Sequence, residues 1–216
     1  MTTPQIIAKF HLYCGDQSEL SSSDELDLAN SKYDDVMNEK PWQFLKKEAT
    51  GSITPNGTGA YITIPTDFRY FIENNLQTDN SETIRNNASP KVVYVGVNYA
   101  PYQIINWSDR REYTQNGGNY CYYDSSLGRI VFPVAPGDMS LYSFDYIKQW
   151  VPLTLTGSDP IIQPVDCAKI IFFGMCLDST IINLFDRSHS YDKENQQNYA
   201  DQLTRMKYHD AMQQMN

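Results

Sequence analysis

Residues 42 to 68 read Trp42-Gln-Phe-Leu-Lys-Lys-Glu-Ala-Thr50, then Gly51-Ser-Ile-Thr-Pro-Asn-Gly-Thr-Gly59, then Ala60-Tyr-Ile-Thr-Ile-Pro-Thr-Asp-Phe68. Two periods meet in this stretch. Before Gly51 the apolar residues Trp42, Phe44 and Leu45 recur at helical spacing, and Pro41 suits the first turn of a helix. From Ala60 they alternate, with Ala60, Ile62 and Ile64 on one face and Tyr61 and Thr63 on the other, as in a half-buried strand. The spacing predicts a helix that ends at Gly51. A hairpin loop rich in Gly, Pro and Asn follows, between a short strand near Ser52 to Thr54 and the strand from Ala60. Pro65 lacks a ladder donor and should end that strand or place it at an edge.

Toward the N-terminus, Ser22-x-x-Glu25 fits a capping box, in which hydroxyl and carboxylate each satisfy an orphan backbone N–H. Leu26, Ala29, Tyr33, Val36 and Met37 then form one apolar stripe, on a helix otherwise covered by Asp27, Asn30, Lys32, Asp34 and Asp35. Residues 1 to 20 suggest a short amphipathic segment broken at Gly15. Toward the C-terminus, the polar residues 73 to 90 read as a surface excursion. Strand character returns at Lys91 to Val97, Tyr120 to Tyr123, Arg129 to Phe132 and Leu141 to Tyr146. Asp124 to Gly128 makes a hairpin connection, and Ile105 to Tyr113 a helical turn. The expected fold class is α+β: a helical bundle with an inserted antiparallel β-sheet or small β-barrel. Its expected parts are residues 1–49 (N-terminal helices), 50–150 (the β-rich insertion), 151–188 (a linker and a buried helix) and 189–216 (a polar C-terminal helix).

The two late helices have unusual patterns. On a helical wheel the apolar residues of Val165 to Leu184 face every direction, so that helix must be covered all round, at the centre of its own bundle or partly by a neighbouring subunit. In the last helix Tyr199, Leu203 and Met206 share one side while Tyr208, Met212 and Met215 share the opposite side. That flip implies a contact beyond the chain's own helices.

The totals exclude several function classes. The net charge is −9, and residues 1 to 39 carry eight acidic side chains against Lys9 and Lys32. With no basic stripe, binding to a phosphate backbone is disfavoured. Cys14, Cys121, Cys167 and Cys176 show no metal spacing and read as reduced buried thiols, which implies a cytosolic birthplace. The most apolar segment, Cys167 to Phe185, is too polar for a membrane span, and no signal-peptide pattern is expected at the start.

Catalytic motifs are likewise missing. His11, His189 and His209 lie in unrelated contexts, there is neither a P-loop nor HExxH, and Gly117-Gly118 reads as a turn. His11-x-x-Cys14 is a weak metal motif. Asp109 with Glu112, or Asp124 with Asp145, would have to flank a sugar in a Tyr-lined groove to act as acid and base. Nine of the 16 Tyr fall between residues 91 and 150, which leaves core packing, a protein interface and a carbohydrate platform open. No cofactor is expected.

A helix closing on Trp42-x-Phe-Leu-x-x-Glu-Ala-Thr50, a glycine loop, and an aromatic strand stopped by Ile64-Pro65-Thr66-Asp67-Phe68 resembles the head-to-tail adaptor proteins of tailed phages, of the podovirus type. The order of the remaining parts, including the late Gly128-Arg-Ile-Val-Phe132-Pro strand and the apolar then polar C-terminal helices, extends the resemblance over most of the chain. It implies a non-enzymatic virion protein of the neck and tail, assembled in the bacterial cytoplasm as a ring, typically dodecameric, beneath the portal protein. Such a ring extends the DNA channel, through which genomic DNA passes without sequence-specific binding, and offers a docking surface to tail nozzle or hub proteins. The resemblance implies portal contacts at Tyr199, Leu203, Met206, Tyr208, Met212 and Met215, in a tail that folds on binding. It implies subunit contacts at Ile170, Phe173, Leu177 and Ile181. Tail-facing loops follow at Asn56, Gly57 and Thr58 and at Asn116, Gly117 and Gly118. The alternatives are a tail-tube terminator or other tail completion protein, and a carbohydrate-binding or glycoside-hydrolysing β-module.

Overall fold

Apolar spacing of three and four builds the first helix, α1 (Thr3–Cys14), which buries Ile6, Ile7, Phe10 and Cys14 along one face. It is seen in a computed structural model that describes residues 1–14, 20–72, 91–109, 119–157, 159–178 and 189–214. Helix α2 (Ser22–Asn38) is capped one residue earlier than the expected Ser22/Glu25 box. The Asp24 amide donates to Ser21 Oγ at 3.2 Å, and Asp24 Oδ2 accepts from the Ser21 amide at 3.0 Å. Glu25 is thereby free to turn inward, where it is buried and meets His11 Nδ1 at 3.1 Å.

The polar side of α2 also bonds to later parts of the helical unit. Asn30 exchanges hydrogen bonds with both backbone groups of Leu153, Asp34 accepts from the Trp150 indole at 2.6 Å, and Lys32 pairs with Asp178 at 2.9 Å.

The helix expected between Pro41 and Gly51 is replaced by a 3-10 turn at Gln43–Leu45 and a strand, β1 (Lys46–Gly51). Lys, Glu and Ala favour a helix in isolation, yet β1 gains a full antiparallel ladder with β9 (Tyr142–Lys148), from Lys46 opposite Ile147 to Gly51 opposite Tyr142. Tertiary pairing outweighs the few tenths of a kcal/mol per residue of helix propensity. Trp42 is a buried pin rather than part of a helical stripe, its indole N–H donating to Val36 O at 2.9 Å.

The other strands are β2 (Thr54–Asn56), β3 (Gly59–Thr63), β4 (Phe68–Phe71), β5 (Val92–Val95), β6 (Ala100–Ile105), β7 (Tyr120–Asp124) and β8 (Arg129–Phe132). All nine join one sheet in the order β1-β9-β5-β6-β7-β8-β3-β2, with β4 also paired to β9. The β6–β7 pair is parallel and the others antiparallel. The expected fold class is thus corrected. A large curled mixed sheet, half of a barrel, dominates, with four α-helices among the described residues, in place of a helical bundle bearing a small antiparallel insertion. β4 and β6 escaped the sequence reading because Phe68–Phe71 is short and follows Pro65, while β6 contains Pro101. The core of the sheet holds Ile62, Val93, Cys121, Ile130, Phe132, Phe144 and Tyr146, each fully or almost fully buried. Each large apolar side chain there contributes about 1.5–3 kcal/mol.

The chain divides into two compact units, the sheet at Lys46–Gln149 and a helical unit made of Met1–Leu45 with Trp150–Asn216. In the helical unit a 3-10 turn at Val165–Lys169 leads into α3 (Ile170–Cys176), which packs against α1, α2 and the last helix, α4 (His189–Gln214). The helix expected over Val165 to Leu184 is α-helical only from Ile170 to Cys176, and residues 179 to 188 lie outside the described residues. Within the chain Ile170, Ile171, Phe172, Met175 and Cys176 are all buried, whereas Val165 is 64% exposed.

Candidate docking surfaces

The side chains sought as a chemical centre are engaged elsewhere. Asp124 Oδ1 caps its own turn, accepting from the Ser126 and Leu127 amides and from Ser126 Oγ. The Ser126 hydroxyl bond is the main reason its carboxyl is held below the ordinary carboxylate range, opposite to what a general acid needs. Asp145 pairs with Lys46 at 2.9 Å. Asp109 bonds Ser108 and Asn106, while Glu112 lies outside the described residues. His11 contacts Glu25, and no metal-binding cluster occurs among the described residues. All four cysteines are free and buried, and burial pushes the Cys121 thiol far up. Among the described helices none is long and apolar enough to cross a membrane.

The aromatic wealth of the sheet is mostly core. Tyr146 is buried and Tyr102, Tyr123 and Tyr142 pack against the cluster, while Tyr70 and Tyr99 stand out from it. A shallow depression of about 370 Å³ beside Tyr123 is lined by Asp124, Ser125 and Ser126.

Helix α4 has two sides. Its inner stripe is Asn195, Gln202, Met206 and Asp210, all buried, flanked by half-buried Tyr199 and Leu203. Asp210, 1% exposed, accepts from the Gln43 amide and pairs with Lys40, each at 2.5 Å. Asn195 donates to the Tyr13 hydroxyl at 3.0 Å. Tyr208 and Met212, one turn apart, point outward at 69% and 40% exposure. Among the six expected portal residues the structure therefore joins Tyr208 and Met212 on an open face. Met206 is fully buried, and Tyr199 and Leu203 line the inner side; Met215 lies outside the described residues. Helix α4 runs to Gln214, and Asp210 bonds its last turns to the chain's own 3-10 turn at Gln43–Leu45.

Of the expected subunit contacts, Ile170 is fully buried and is withdrawn from that role, Phe173 and Leu177 are half-buried, and Ile181 lies outside the described residues.

In the sheet unit, loops gather at one end. β1 ends and β9 begins together at Gly51 and Tyr142, β5 ends beside Tyr142, and β8 ends beside the start of β3 at Phe132 and Ala60. This brings together the hairpin tip Asn56-Gly57-Thr58, the 96–99 turn and the 133–141 loop. Direct bonds join them: the Ala135 amide to Thr58 O and the Ile53 amide to Met139 O, both 3.0 Å, and the Gly96 amide to Leu141 O at 2.8 Å. The other expected loop, Asn116, Gly117 and Gly118, lies outside the described residues. The sequence reading missed the 96–99 and 133–141 loops. Gly96 with Asn98 and the Pro133/Pro136 pair were their local signals.

Comparison with protein-family models gives no match, and comparison with curated proteins gives none either.

Proposed function

We propose that the chain is a structural virion protein, a head-to-tail adaptor that forms a ring beneath the portal protein, extends the DNA channel and receives tail nozzle or hub proteins. The observation that carries this reading is the division of α4. Met206 and Asp210 fix the helix to its own unit, leaving Tyr208 and Met212 as a rigid outward pair suited to a protein contact, since a contact made by a pre-ordered helix avoids the cost of ordering it. The residue pattern from Trp42 to Phe68 supports it, although its helix closing on Thr50 is a 3-10 turn and strand β1 in this chain, and so does the acidic composition, which lets DNA pass without being gripped. The sheet-dominated fold is a departure from the helical-bundle form that the resemblance implied. Ring closure would come from one heterologous contact repeated around an axis. Mixing purified protein with the portal ring and measuring the native mass of the complex tests the reading. About twelve copies per ring are expected, and no association would overturn it.

A further inference from the structure

The loop end of the sheet unit has the composition of a binding surface and a device that holds it rigid. Val97, Tyr99 and Val134 are 67%, 56% and 74% exposed, on two loops that are tied to each other and to the hairpin tip at Asn56–Thr58. Isolated exposed apolar residues are ordinary; three on bonded neighbouring loops are less so. Tyr99 also sits at φ +51°, in the left-handed region where a bulky residue is strained. The strain is held by a framework. The Tyr99 amide closes the turn on Gly96 O at 3.1 Å, and the Val97 amide donates to Asp138 Oδ2 at 3.0 Å. Oδ1 of Asp138 takes the Ser140 amide and hydroxyl.

Charge identifies the occupant. The segments 52–58, 96–99 and 133–141 contain one charged side chain, Asp138, and both of its oxygens are bonded within the loops. On a chain of net charge −9 this is a charge-poor end, with that one carboxylate and no cation. Nucleic acid finds no positive charge here and a basic partner meets only the Asp138 carboxylate, whereas depletion of charge around exposed aromatic and aliphatic side chains is the signature of the centre of a protein–protein interface.

We infer that Val97, Tyr99 and Val134 form the centre of a docking site for an uncharged, apolar protein surface. On the adaptor reading, on which the choice of probe rests, that surface belongs to the tail nozzle protein. The expected hairpin tip Asn56–Thr58 then becomes the rim of the site.

The test uses the full chain, wild type and Val97→Ser/Tyr99→Asn/Val134→Ser, with Leu127→Ser as control. Leu127 is exposed on the β7–β8 turn, at the opposite end of the strands. Affinity for purified nozzle protein and for purified portal ring is measured at low and high salt, and melting of each variant confirms folding. The inference predicts a loss of nozzle affinity of about tenfold or more in the triple variant, unchanged affinity in the control, and a change below about threefold from 50 to 500 mM salt. Portal affinity should stay level in every variant. Equal nozzle binding by wild type and triple variant would overturn the site, and steep salt dependence would overturn the uncharged partner. Portal binding without nozzle binding would overturn the inference and leave the adaptor reading standing. Failure to bind either would overturn both.

Discussion

The hydroxyl of Tyr146 donates to Oδ1 of Asp67 at 2.7 Å, and Oδ2 of the same carboxylate holds the Lys47 ammonium at 2.9 Å. One aspartate in the Ile64-Pro65-Thr66-Asp67-Phe68 run therefore clasps β9 and β1 where the chain turns toward β4. Tyr146→Phe should lower stability by about 1 kcal/mol, and Asp67→Ala by about 2 kcal/mol because the buried hydroxyl then lacks its acceptor. Urea unfolding of both variants checks the order.

The same carboxylate predicts a pH dependence. The Tyr146 bond, followed by the Lys47 bond, holds Asp67 below its ordinary value of 3.8. A depressed folded pKa means that the unfolded chain binds more protons in that window. The stabilisation is complete above the ordinary value and is lost as pH falls below 3.8 through the folded pKa. Asp138, held low chiefly by Ser140, adds in the same direction. Melting temperature followed from pH 6 down to about 2 should fall steeply below the ordinary carboxylate pKa. Asp67→Asn should fall less steeply.

Two glycines with similar dihedrals separate strain from collision. Gly128 has φ +59° with open space where a methyl group would stand, whereas a Cβ on Gly96, at φ +71°, would lie 2.6 Å from Asp138 Oδ2. Gly128→Ala should cost about 1 kcal/mol, the ordinary left-handed penalty. Gly96→Ala should cost more, about 2–3 kcal/mol, because it also displaces the carboxylate that fixes the 96–99 turn. Parallel denaturation curves decide this.

Met206 and Met212 divide stability from docking. Met206 is fully buried, so Met206→Ala should cost about 2–5 kcal/mol. Met212→Ser, at a position 40% exposed, should cost no more than about 1 kcal/mol while weakening portal association. Calorimetry and a portal binding assay read the two effects separately.

The sequence was most legible where burial follows apolar periodicity. The α2 stripe is an example, with Ala29, Tyr33, Val36 and Met37 all buried, and β8 is another, with Ile130 and Phe132 inward. It misled where polar residues do the packing. The inner stripe of α4 consists largely of Asn195, Gln202 and Asp210, so a reading of apolar residues alone saw a face that flips where the structure has one continuous buried side. β1 misled for the converse reason: Lys46-Lys-Glu-Ala has helical propensity, and only pairing with β9, about a hundred residues later, makes it a strand. The loop end was hidden because its parts come from three separate segments that only the sheet order brings together.

The adaptor reading is tested most directly by the native mass of the portal complex, with wild-type protein and with Tyr208→Ser/Met212→Ser. Deleting residues 199–216 would be a poorer probe, since it removes Met206 and Asp210 from the core. The account predicts about twelve wild-type copies on each portal ring, and loss of association in a double variant that still melts like wild type. Absence of a wild-type complex, or undiminished association of the double variant, would contradict it.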